Sequence, residues 1–211
     1  MTESAPRRRR RKEARPGELV AAALDCFAER GFAATKLDDI AAKAGVSKGT
    51  VYLYFPSKEE LFKTVVRESL LPNIARAESI LADSNLPAAE QLRGLLQFMT
   101  GRMASSPVGI IPKLVVTEAG NFPDIARFYL DQVVHRGFAL IGRVLTRGIA
   151  RGEFRKVDVR HTTFCVIAPV LLTALWRHSL GRFEPDALDP DALWHTHIEL
   201  LLQGLRPEEG A

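Results

Sequence analysis

Cysteine, strand-like alternation and the short motifs of enzyme chemistry are scarce or missing in this chain, and each shortage narrows its class. Only Cys26 and Cys165 occur among 211 residues. Both lie in apolar contexts far apart, so two buried, reduced thiols are expected rather than a disulfide framework. No nucleophile elbow, His-Glu-x-x-His pair, Gly-rich phosphate loop or Cys-x-x-Cys occurs. His195 and His197 are two apart, which on a helix points their rings in different directions. No catalytic residue, metal site or cofactor is expected, and the chain does not read as an enzyme. The longest apolar run, Phe164 to Trp176, is short for a bilayer core about 30 Å thick. It contains Pro169 and is flanked by Arg160, His161, Arg177 and His178, so a buried helix is expected. The Arg-rich start is followed by Glu18, Asp25 and Glu29, which do not suit a signal peptide. A cytoplasmic protein with no membrane partner is the expectation.

Charge of one sign is missing from the body of the chain. The net charge is +4, yet residues 1–12 carry six basic side chains and one acid, leaving residues 13–211 at −1. The basicity is the run Arg7–Lys12, expected as a disordered arm over residues 1–14 that adds salt-dependent attraction to a polyanion. With 46% hydrophobic and 26% charged residues, the remainder has the composition of a globular protein.

What is present is helical periodicity. A first helix is expected from about Pro16 to Arg30, with Val20, Ala23, Leu24 and Phe27 inward and Gly31 as its stop. Leu37, Ile40, Ala41 and Ala44 mark a second, with Thr35 and Asp38 at capping-box spacing. Ser57 and Glu60 have the same spacing before a helix carrying Leu61, Phe62, Val65, Val66 and Leu70, which Pro72 ends or kinks. Further helices are expected from Pro87 to about Ala104, Gly109 to Ala119, Pro123 to Arg151, Val159 to Leu180 and Pro190 to Leu205. The fold class is all-α, with a small N-terminal head over residues 15–75 and a larger helical body over 76–211.

The most specific stretch is Leu37-Asp-Asp-Ile-Ala-Ala-Lys-Ala-Gly-Val-Ser-Lys-Gly-Thr-Val-Tyr-Leu-Tyr-Phe55. Gly45 supplies a left-handed stop for one short helix, and Ser47 can cap the next, roughly Lys48 to Tyr54, which buries Val51 and Phe55. A helix–glycine turn–helix over about residues 37–56 is the unit whose second member enters a DNA major groove. With Leu19–Phe32 before it and Ser57–Phe62 after it, the segment resembles the DNA-binding domain of the TetR/AcrR family of bacterial transcriptional regulators, from about Arg15 to Leu71. Lys48 can reach a phosphate or guanine edge, Gly49 lets the backbone approach, Thr50 carries a hydroxyl and a methyl, and Tyr52 and Tyr54 are polar-tipped. Thr35 and Lys58 stand at helix starts, where backbone N–H groups attract phosphate. The resemblance implies that Thr35, Lys48, Gly49, Thr50, Tyr52, Tyr54 and Lys58 contact double-stranded operator DNA.

Two such heads, about one helical turn of DNA apart, give useful specificity, so a homodimer is expected. Its surface is expected on the last two helices. Phe164, Ile167, Ala168, Leu171, Leu172 and Leu175 form one set, and Leu193, Trp194, Ile198, Leu201, Leu202 and Leu205 the other. The resemblance also implies a cavity in the body for a small-molecule effector, for which Met99, Met103, Ile110, Leu114, Thr117, Phe128, His135 and Phe138 are the candidate walls. The expected function is a ligand-released repressor. A ligand-independent regulator and an activator are the alternatives.

Overall fold

The computed structural model describes residues 6–82, 84–105, 107–184 and 189–207, with backbone alone for residues 6–14 and 102–105. Every regular element among them is helical. The head comprises α1 (Pro6–Arg30), α2 (Leu37–Lys43), α3 (Lys48–Tyr54) and α4 (Lys58–Ser69). The body comprises α5 (Leu71–Ala82), α6 (Ala88–Ser105), α7 (Ile111–Glu118), α8 (Pro123–Tyr129), α9 (His135–Ala150), α10 (Val159–Arg177) and α11 (Pro190–Leu205). Pro72 falls just after the α4–α5 break at Leu70, as its missing N–H requires.

The first helix departs from its expected start. α1 begins at Pro6 and runs through Pro16, so the backbone of Arg7–Lys12 forms its opening turns instead of a disordered arm. Arginine, lysine, glutamate and alanine are all strong helix formers, and Pro6 suits a helix start. Residues 1–5 of the expected arm lie outside the described residues.

Two apolar cores organise the chain, and they do not divide at residue 75. The first joins Leu19, Phe27, Phe32, Ile40, Val51 and Phe62 of the head to Ile111, Leu114 and Ile125 of the body. Phe122, before α8, meets the Phe32 ring edge-on at 4.8 Å. The second core joins Leu92 and Leu96 of α6, Ile141 and Leu145 of α9, Val166 and Val170 of α10 and Trp194 and Ile198 of α11. A Cβ on Gly148 would run into the Phe154 ring and stand 2.8 Å from the Ala88 Cβ, so α9 packs this close only with glycine there. The expected single helix from Pro123 to Arg151 is instead α8, a π turn over Leu130–Val134 and α9. Up to the π turn this rod packs on the first core, and beyond it on the second. Arg136 of α9 clasps Glu78 of α5 through Nε at 3.0 Å and Nη2 at 2.6 Å, and the guanidinium holds the Glu78 carboxyl below its ordinary pKa.

Two expectations about burial are corrected. Cys26 is buried and desolvation raises its thiol pKa, but Cys165 is exposed on α10. α10 is not a buried helix: Thr163, Val166, Val170 and Ala174 face inward while Phe164 and Leu172 remain 64% and 63% exposed. At 19 residues its length and apolarity suffice to cross a membrane, which the shorter Phe164–Trp176 run did not suggest. Its inner face packs on α6, α7 and α9.

His178 and His197 bracket this part of the second core, and among the described residues the Nε2 of each is buried without a hydrogen-bond partner. Desolvation depresses both pKa values; Arg177 and Lys113 add to it at His178, and a hydrogen bond to the Val166 backbone opposes it at His197. Below the ordinary histidine value the unfolded chain therefore holds more protons than the folded one. The associated stability is complete above about pH 6.5 and declines as pH falls through it. Thermal melting should accordingly shift downward between about pH 7.5 and about pH 5.5, above the carboxylate range, and His197→Gln should flatten the profile. A wild-type profile that stays level across this window would contradict the assignment.

Candidate nucleic-acid interface

Local chemistry fixes the turn between α2 and α3. Gly45 adopts φ +65°, its N–H bonds the Ala42 carbonyl at 3.1 Å, and the Val46 N–H bonds that of Ala41 at 3.0 Å. These paired bonds form a Schellman stop, with the left-handed residue where glycine costs least. Ser47 Oγ then accepts the Thr50 N–H at 3.2 Å and so starts α3. Val51 is completely buried in the head core, which directs the opposite side of α3 into solvent. At the other end of α2 the carboxylate of Asp39, and not of Asp38, accepts the Lys36 N–H at 2.9 Å. That bond is the first cause of its lowered pKa.

The seven residues expected to contact DNA do not share one environment. Lys48, Gly49 and Tyr52 are exposed on α3. The Lys48 ammonium bonds Asp38 at 2.9 Å and lies 5.9 Å from the centre of the Tyr52 ring. The Asp38 bond, followed by its charge, raises the Lys48 pKa. The Thr50 hydroxyl lies 2.9 Å from Ser47 Oγ and is half-buried. Tyr54 packs partly buried against the head core.

Two of the seven face inward. Thr35 is fully buried, and its hydroxyl donates to the Gly31 carbonyl at 2.7 Å and the Cys26 carbonyl at 3.2 Å. It ties the end of α1 to the start of α2 and forms no capping box with Asp38. Lys58 folds back so that its ammonium donates to the carbonyls of Phe32 at 2.7 Å, Ala33 at 3.1 Å and Thr35 at 2.9 Å. The same ammonium sits 4.5 Å from the Phe32 ring centre, a cation–π distance. Burial lowers its pKa. Both side chains brace the loop between α1 and α2. One outward residue was not among the seven: Leu53, 73% exposed, one turn beyond Gly49.

This buried-underside, polar-topped helix–turn–helix has counterparts. Residues 19–65 match the domain described as bacterial regulatory proteins, tetR family, and residues 87–194 match the tetracyclin repressor-like C-terminal domain. The chain belongs to the TetR family. Among TetR-family relatives, the transcriptional regulator RutR of Escherichia coli is 45% identical over 210 residues, covering 95% of both chains. The ketosteroid transcriptional regulator KstR2 of Mycobacterium tuberculosis superposes with a TM-score of 0.72 at 27% identity, covering 92% of this chain and 96% of that one. FadR of Bacillus subtilis in complex with stearoyl-CoA gives a TM-score of 0.69 at 24% identity, covering 90% of this chain and 99% of that one; at that identity the likeness shows the fold alone. The TetR-family chain is thus a helix-turn-helix, DNA-binding transcriptional regulator, in a family of regulators rather than enzymes.

The residues expected to line one effector cavity are scattered. Ile110, Leu114 and Phe128 belong to the first core, and Arg67 covers the Phe128 ring at 4.8 Å. Met99 packs on the second core. Thr117 is exposed, with its hydroxyl donating to the Lys113 carbonyl at 2.9 Å. His135 is exposed beside Asp131 at 3.4 Å. Phe138 meets Phe164 of α10 at 6.1 Å, and the Met103 side chain lies outside the described residues. Methionine and aromatic content does not distinguish a core from a cavity wall. A cavity of about 30 Å³ occurs elsewhere, between Thr100 of α6, Val170, Thr173, Ala174 and Arg177 of α10, and Pro190 and Trp194.

The expected pairing surface divides in the same way. Phe164 and Leu171 are exposed, and Leu175, Leu201 and Leu202 are half-buried, the last two packed on the second core. Trp194 and Ile198 are buried inside the chain's own core and present no outward surface. Leu200, 66% exposed on α11, adds an outward apolar residue that the periodicity did not single out.

Replacing Lys48 with alanine removes an exposed cation and leaves the head core untouched. Operator affinity should fall at least about tenfold, and the slope of log affinity against log salt should fall by about one per protomer. Anisotropy titrations over a salt series read both quantities. An unchanged slope would remove Lys48 from the phosphate contacts.

Proposed function

We propose that the protein is a cytoplasmic homodimeric repressor whose paired α3 helices read a palindromic operator, and that a small molecule in the helical body releases it. The observation that carries the reading is the α2–Gly45–α3 unit, with Val51 inward and Lys48, Gly49 and Tyr52 outward. Exposed Phe164, Leu172 and Leu200 on α10 and α11 support pairing through those helices. The FadR structure holds stearoyl-CoA, so a chain of this fold can take a small-molecule ligand.

The α6–α10–α11 cavity is the site we assign to the effector. About 30 Å³ holds little more than one water, so an effector must push these helices apart, and α10 and α11 are the helices assigned to pairing. The lining residues are mostly apolar, and Thr100, Thr173, Arg177 and the indole of Trp194 are those that carry polar groups. Trp194 in the wall provides the readout. A metabolite that alters tryptophan emission should also dissociate the protein from its operator, and Trp194→Phe should abolish the optical change. Ligands that bind without releasing DNA would favour a constitutive regulator instead.

A further inference from the structure

Leu53 is the exposed side chain of α3 that carries no polar group. Its neighbours on the helix are occupied otherwise: Lys48 bonds Asp38, the Thr50 hydroxyl meets Ser47 Oγ, and Val51 is buried. Leu53 lies two positions from Val51, close to the opposite side of the helix, and is 73% exposed. One turn earlier on this outer side is Gly49, where an added Cβ would meet only Ser47 Oγ at 3.9 Å. The fold therefore has room for a side chain at Gly49 but presents bare backbone there. The outermost ridge of α3 is accordingly a shallow step at Gly49 followed by a projecting, branched apolar group.

In the major groove a donor or acceptor is available on every base edge, but the apolar target is the thymine C5-methyl group. We propose that Leu53 is a specificity-determining residue that reads a thymine methyl in each half-site, with Gly49 letting the helix sink far enough for contact. The proposal rests on the operator-binding reading above and adds the chemistry of one base position. Removing one methyl from an apolar contact should weaken binding about fourfold, and about 15-fold when both symmetric half-sites lose it.

The test uses the full-length protein and the duplex it enriches from a random pool. Each symmetric pair of thymines is replaced by deoxyuracil, which keeps the base pair and deletes only the C5-methyl group. Wild type should lose about 15-fold at one symmetric pair. Leu53→Ala should bind the thymine and uracil duplexes there equally, while keeping a melting temperature near that of wild type because the side chain is 73% exposed and belongs to neither core. Equal wild-type binding to every uracil duplex, or a thymine preference that survives in Leu53→Ala, would overturn the assignment while leaving operator binding intact. Failure to enrich any duplex would overturn the operator-binding reading itself.

Discussion

Glutamate at both Phe164 and Leu172 will leave a helical, folded monomer whose operator affinity is at least about 100-fold below wild type. Both side chains project from α10, opposite the face that holds Val166 and Val170 in the second core. Within a single chain the double substitution removes the edge contact of Phe164 with the Phe138 ring and leaves both buried cores intact. In the proposed symmetric pair, however, each carboxylate is buried in an apolar surface, and an unpaired charge there costs several kcal/mol. Losing the pair separates the two heads and removes the local-concentration advantage of the second, which is typically about 100- to 10,000-fold. Sedimentation reads the mass, circular dichroism the helicity and anisotropy the affinity. A variant that remains dimeric would show that pairing uses another surface.

Lys58→Ala will behave in the opposite way, losing stability before it loses DNA. The ammonium bonds three main-chain carbonyls between Phe32 and Thr35 and covers the Phe32 ring. Hydrogen bonds to a charged group contribute about 1.5–3 kcal/mol, and carbonyls left without donors add a penalty. A loss of about 2–3 kcal/mol is therefore expected in denaturant melts. Lys58→Met keeps the stem on the aromatic ring and so isolates the ammonium contribution. At temperatures where the variant is folded, its operator affinity should stay closer to wild type than that of Lys48→Ala. Unaltered melting together with lost DNA binding would return Lys58 to the phosphate contacts.

The contrast between these lysines marks how far the sequence could be read. Gly45, Ser47 and Ser57 act on neighbours within a few residues, so the turn, the α3 cap and the α4 start were visible in the chain. The bounds of α11, between Pro190 and Leu205, were visible for the same reason. The inward bonding of Lys58 is not legible in the sequence because its ammonium reaches carbonyls 23 to 26 positions away, and that of Thr35 because its bonds to Gly31 and Cys26 depend on how the chain turns after α1. Periodicity showed that α10 and α11 were apolar. It did not show that Trp194 and Ile198 face their own chain while Phe164 and Leu200 face out, since burial within and between chains uses the same residues. The effector walls were chosen by residue type, which distinguishes neither the two cores nor core from surface. The outward position of Leu53 is legible from its helical angle to Val51, but Leu53 carries no polar group that marks it as a base reader.

The central claim is that the α3 face, in two symmetric copies, reads duplex sequence. Incubating purified full-length protein with a random duplex pool and sequencing the retained fraction tests it most directly. An inverted repeat with half-sites about one helical turn apart, lost when Lys48 and Tyr52 are replaced by alanine, is the predicted result. Retention of duplexes with no preference over the starting pool, by protein shown to be folded and paired, would contradict it.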